Sequence, residues 1–125
     1  MGEPLQMKSI VDNYWKKMAV LREILTTGCN EDIYWNKNTL HLGEIVYYLK
    51  DDMNKYQAWI NEGSASGQLT PEQARSHQKF VNSQMDWIDN KLLKETISIR
   101  ESPNGKIRDC NVLEEYTKYQ TSRRN

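Results

Sequence analysis

The chain has 125 residues, enough for one domain and too few for two comfortable ones. Lys plus Arg and Asp plus Glu both number 17, so the formal net charge is zero and no charge excess points to a nucleic-acid or anionic-membrane partner. Mean hydropathy is −0.85 and neither a signal peptide nor a transmembrane run is visible, which makes a reducing cytoplasm the expected location and thiols the expected state of Cys29 and Cys110.

Aliphatic residues are sparse, and one Phe stands against 7 Tyr and 4 Trp, so large rings must either bulk out a small core or serve a binding surface. Balanced charge and clear periodicity argue against disorder. The opening Met1-Gly2-Glu3-Pro4-Leu5-Gln6 lacks the Ser or Thr that a myristoylation signal needs at position 6. Residues 1–6 and 121–125 read as flexible tails of a single helical domain spanning 1–125.

The first helix is expected from about Leu5 to Thr27. Met7, Ile10, Tyr14, Met18, Leu21 and Leu25 share one stripe, with Val11 and Trp15 on its flank, and Gly28-Cys29-Asn30 ends it. The stretch from Glu31 to Leu42 fits a small hairpin, but an irregular link with Asn38 or Thr39 capping the next helix is the preferred reading. The second helix is expected from Thr39 or Gly43 to Asn61. Leu42, Ile45, Leu49, Met53, Tyr56 and Ile60 form its stripe, Val46 and Trp59 flank it, and Tyr47 points the other way. Gly63-Ser64-Ala65-Ser66-Gly67 reads as a loop short enough to make the flanking helices antiparallel.

The third helix carries its own start signal. Thr70 is the N-cap, Pro71 stands at the first helical position, and Gln73 closes a capping box. Ala74, Val81, Met85, Ile88 and Leu92 recur on one stripe. Phe80 and Trp87 lie a heptad apart on a second stripe, roughly 120° away. A helix with two apolar stripes needs two partners. It reads as reaching Glu95, after which Thr96–Arg100 alternates, Ser102-Pro103-Asn104-Gly105 is a turn signal, and Lys106-Ile107-Arg108 can return as a hairpin strand; the rival is a helix continuing to Arg100 and then a loop. Asn111 then caps a short fourth helix, with Glu114 at its third position and Val112, Leu113 and Tyr116 on its apolar side.

Motifs for chemistry are thin. His41-x-x-Glu44 is one half, in reversed order, of what a carboxylate-bridged di-iron bundle needs. His77 reads as a boundary residue of the third helix. Asp51, Asp52, Asp86 and Asp89 could face one another across an antiparallel pair and hold magnesium. The magnesium-dependent all-helical nucleotide hydrolases, however, repeat Glu-x-x-Glu elements, and this chain has a single Asp-x-x-Asp. No Gly-x-Ser-x-Gly, P-loop or dinucleotide fingerprint occurs, and no cofactor is implied. The stretch from Thr70 to Ile88 resembles a helix-turn-helix unit in its Thr cap, Ala74 and Trp87. It departs from that pattern at Gln78, where the turn wants Gly, and at Lys79 and Gln84, where apolar residues belong, so one continuous helix is the better reading.

The sequence therefore predicts an all-α bundle of three longer helices and a short C-terminal one, with room for one small β-hairpin. The leading functional expectation is a non-enzymatic interaction module, a phage-like or mobile-element-like regulator or inhibitor that binds a host protein, itself, or both. Burial of a Trp/Tyr-rich helical face would drive binding, with Trp87, Phe80, Tyr47, Trp35 and Trp59 as its rings. The alternatives are a nucleic-acid or nucleotide binder that stacks bases on the rings, and a magnesium-dependent hydrolase using the four aspartates.

Overall fold

The computed structural model describes residues 2–27, 29–30, 42–101 and 106–124. Helix α1 spans Gly2–Thr27, a two-residue strand β1 Cys29–Asn30, helix α2 Leu42–Ser66 and helix α3 Pro71–Asn90. A 3-10 turn at Leu92–Lys94 leads into strand β2 (Thr96–Glu101), strand β3 (Lys106–Asn111) and helix α4 (Val112–Arg124). The architecture is the expected all-α bundle decorated by an antiparallel hairpin.

Helix α2 is the hub: α1, α3 and α4 each pack against it. Its predicted stripe is buried from end to end, with Leu42, Ile45, Leu49 and Met53 at most 1% exposed. Tyr14, Met18 and Leu21 of α1 and Val81 and Ile88 of α3 close on it, while Met7, Ile10, Leu25, Ala74 and Met85 pack around the margin. Burial of these side chains supplies the main driving force, on the order of 1.5–3 kcal/mol for each large one.

Several boundaries differ from those read in the sequence, each for a physical reason. Helix α1 begins at Gly2, because Pro4 falls in a first turn whose N–H groups have no helical acceptor and so loses nothing there. Helix α2 runs on through the Gly-Ser segment to Ser66. Gly63 is buried against Leu69, whose N–H returns to the Gly63 carbonyl at 3.0 Å, and a Cβ on Gly63 would lie 2.7 Å from Leu69 Cδ1. The stop comes at Gly67, whose φ of +79° is the left-handed conformation that ends helices. Helix α3 starts as predicted: Gln73 N–H donates to Thr70 Oγ1 at 3.1 Å and Thr70 N–H to Gln73 Oε1 at 2.9 Å. It is continuous through Gln78, with no helix-turn-helix break, and ends at Asn90 rather than Glu95. There the 3-10 turn buries Leu92 completely and leaves the Glu95 carbonyl to accept from Val112 N–H at 3.0 Å.

The hairpin survives because it packs on the bundle, as an isolated two-stranded ribbon does not. Ile97 and Cys110 stand opposite each other in register and are 4% and 2% exposed. β1 adds a parallel partner to β2, pairing Cys29 with Ile99. Cys29 and Cys110 thus lie on the two outer strands with β2 between them, about 10 Å apart by strand spacing alone and beyond disulfide reach. Helix α4 is capped by Asn111, whose Oδ1 accepts from Glu114 N–H at 3.1 Å, and it stays helical to Arg124 instead of fraying after Gln120. The segment 31–41, including Trp35 and His41, and the turn at 102–105 lie outside the described residues.

Candidate protein-interaction surface

Phe80, on the second stripe of α3, turns toward α1. The Phe80 ring sits 6.5 Å from Tyr14, 6.1 Å from Trp15 and 5.5 Å from Tyr56, so it bridges α1 and α2. Trp87 is half-buried against the core. Between them along α3, Gln84 accepts a hydrogen bond from the Tyr14 hydroxyl at 2.5 Å. Burial, reinforced by the Asp52 charge and offset by Arg22, pushes the Tyr14 phenol up to about 12. Trp59 packs edge-on to His77 at 5.0 Å and to Tyr56 at 6.1 Å, and the Tyr56 hydroxyl lies 2.7 Å from His77 Nδ1. The Trp59 indole N–H is buried without a hydrogen-bond partner, beside an open groove lined by Ile10, Lys55, Ala58 and Glu62.

Among the described residues the exposed ring is Trp15, at 38%. It is held in place nonetheless. Tyr14 meets it edge-on at 5.3 Å, Phe80 supports it from α3, and the Arg22 guanidinium lies 5.6 Å from its centroid. Lys8 and Arg22 stand one heptad before and after Trp15, within about 20° of it around the helix and roughly 10 Å along the axis. Val11 and Ala19 fill the same stripe, and Lys8, Ala19 and Arg22 are exposed. The ridge is an anchored Trp set between two cations. The sequence carries that heptad spacing, but periodicity alone does not reveal that Trp15 faces water.

Tyr47 belongs to a different cluster, on the seam between α2 and α4. Tyr47, Tyr48 and Tyr119 stand 5.2, 5.4 and 6.4 Å apart, centroid to centroid, at mutual angles of 83°, 63° and 57°. The Arg123 guanidinium lies over all three, at 4.8, 5.9 and 5.9 Å, and donates to the hydroxyls of Tyr48 at 3.2 Å and Tyr119 at 3.3 Å. The bond to Tyr119 and the neighbouring phenols hold the guanidinium above its ordinary range. Burial raises the Tyr119 phenol, with the Arg123 bond pulling the other way.

The four aspartates do not converge. Asp52, 5% exposed, pairs with Lys17 of α1 at 2.7 Å. Asp89 pairs with Lys50 at 3.0 Å, Asp51 with Lys55 at 3.2 Å, and Asp86 accepts from Asn90 at 2.6 Å. Among the described residues no group of three His, Cys, Asp or Glu side chains could hold a metal ion, and no helix is long and apolar enough to cross a membrane.

Comparisons with protein-family models, with curated proteins and with solved structures return no match to this chain.

Proposed function

We propose that this chain is a non-enzymatic protein-interaction module that works in the cytoplasm and docks an acidic, apolar-centred segment of a protein partner on the α1 ridge around Trp15. The observation that carries this reading is the exposure of Trp15 while Tyr14 and Phe80 hold its ring in one orientation. Trp is the side chain that most often dominates binding energy, and a ring already fixed in place loses little freedom on docking. Lys8, exposed one heptad before Trp15, favours an acidic partner and steers it during approach. The half-buried Phe80 supports the ridge from beneath, which gives part of the Trp/Tyr-rich face a supporting rather than a contacting role. Such a module suits a small regulator or inhibitor that acts by covering a host protein's surface, as a phage or mobile element would use one.

The test is fluorine NMR on protein labelled with 5-fluorotryptophan, with the Trp15 signal assigned from Trp15→Phe. The probe is a synthetic amphipathic helix with Glu residues flanking a Leu stripe. The Trp15 signal should move selectively and saturate, a Lys-for-Glu version of the peptide should leave it in place, and Trp15→Ala should abolish binding while the protein still melts cooperatively. Equal response to both peptides sinks the charge argument. A shift driven by protein concentration alone assigns the ridge to self-association, and a response to single-stranded nucleic acid that collapses with salt assigns it to base stacking.

A further inference from the structure

We propose that Tyr47, Tyr48 and Tyr119 form a recognition cage for a guanidinium, the arginine side chain of a protein partner, and that Arg123 is the cage's resident occupant. This site is separate from the Trp15 ridge and does not depend on it.

The geometry is that of a receptor. A cation is attracted to the face of an aromatic ring within about 6 Å of its centroid. Here three steeply tilted rings meet that distance around one guanidinium, Tyr47 at 4.8 Å and Tyr48 and Tyr119 at 5.9 Å with their hydroxyls toward it, and they leave its solvent side open. A helix end tied down by stacking needs one ring. Two hydroxyls add acceptors at 3.2 and 3.3 Å, both served by Arg123 Nη1, which a cation with N–H donors can satisfy and a quaternary ammonium cannot. Glu44, near enough to act on the Tyr119 phenol, adds negative potential at the cage. All three tyrosines are half-buried, open enough to admit a side chain.

The occupant sits where it can be released. Arg123 is exposed and stands one residue from the end of α4. The last four carbonyls of a helix have no helical partner, so the final turn opens at low cost. Tyr119 lies one turn earlier, and its Cβ is 3.1 Å from where a Cβ on Gly43 would stand, so the wall it makes stays when the last turn peels away. A tethered occupant competes at a high effective concentration and weakens any outside ligand by the fraction of time the cage is filled.

The experiment follows the tyrosine ring resonances of the full chain during titration with N-acetyl-arginine methylamide, wild type beside Arg123→Ala. The variant should show saturable shifts of all three rings at about a tenfold lower ligand concentration than wild type, as for a cage about nine-tenths occupied by its own arginine. N-acetyl-citrulline methylamide, of the same shape but neutral, should produce no saturable shift. Tyr47→Leu combined with Arg123→Ala should lose the response, and Tyr48→Leu with Arg123→Ala serves if the first pair fails to fold. Equal titration of wild type and Arg123→Ala, or equal response to the arginine and citrulline compounds, overturns the proposal and leaves the contact as a tether for α4.

Discussion

Gly43 of α2 lies directly beneath the Glu115 peptide of α4: a Cβ built on it would overlap the Glu115 carbonyl oxygen and stand 2.7 Å from the carbonyl carbon. The absent side chain lets the two helices cross at backbone contact, and that crossing carries Tyr119 to Tyr47 and Tyr48. Gly43→Ala should therefore destabilise the fold by about 3 kcal/mol, at the upper end of overpacking costs because the clash is with backbone that cannot rotate away. It should also disperse the tyrosine cage. Urea unfolding gives the first quantity and tyrosine ring shifts the second. A stable Gly43→Ala protein with unmoved ring shifts would show that α4 is free to slide.

Lys17 and Asp52 make a bridge between α1 and α2 at 2.7 Å, with the Asp52 side chain 8% exposed and that of Lys17 19%. The pair is worth less than its removal suggests, since both ions left water to form it. Lys17→Met strands the carboxylate and should cost about 3 kcal/mol, the low end for a broken buried pair because water still reaches the lysine end. Lys17→Met with Asp52→Leu should recover most of that loss. A double variant as unstable as the single one would place the cost in lost packing of the lysine stem instead. Urea midpoints of the three proteins decide it.

What was readable in the sequence was what local chemistry sets. The Thr70–Gln73 capping box, the Asn111 cap and the α2 stripe each need only a few neighbouring residues, and each appears in the structure as read. Gly63 misled because a Gly-Ser segment resembles a loop until Leu69 folds back on it. The ranking of the tryptophans was out of reach for a similar reason. Trp15 flanks the α1 stripe and Trp87 lies on the second stripe of α3, and only the placement of α1 and α3 around α2 makes one exposed and the other half-buried. The tyrosine cage joins residues more than seventy positions apart through a glycine contact that no pattern announces.

Gly67 isolates the backbone cost of ending α2. Its φ is +79°, and a Cβ there would meet nothing within 4 Å, so substitution adds strain and no clash. Gly67→Ala should lose roughly 1–2 kcal/mol, the penalty of the left-handed region for an L-residue. Gly67→Asn should lose less, because Asn tolerates that conformation. Gly67→Pro should be worst, since the ring fixes φ near −65°. Thermal midpoints falling in the order Gly, Asn, Ala, Pro check the assignment; a neutral proline variant would show a free loop at that position.

Tyr14 couples the α1–α3 contact to alkaline pH. Its hydroxyl donates to Gln84, and burial, aided by the Asp52 charge, raises its pKa from 10.0 in the unfolded chain to about 12. The folded state therefore keeps its proton where the unfolded state has lost it. Ionisation of the unfolded chain above its pKa draws the equilibrium toward unfolding, so the stability contributed by this group is fully present below pH 10 and is lost as pH rises toward 12. Tyr14→Phe should be less stable than wild type at neutral pH, having left the Gln84 oxygen without this donor, yet lose less stability over that alkaline interval. Urea unfolding of both proteins at several pH values across it measures the difference in slope. Parallel curves would mean that the Tyr14 phenol ionises as readily in the folded protein as in the unfolded chain, and that its contact with Gln84 opens before the bundle does.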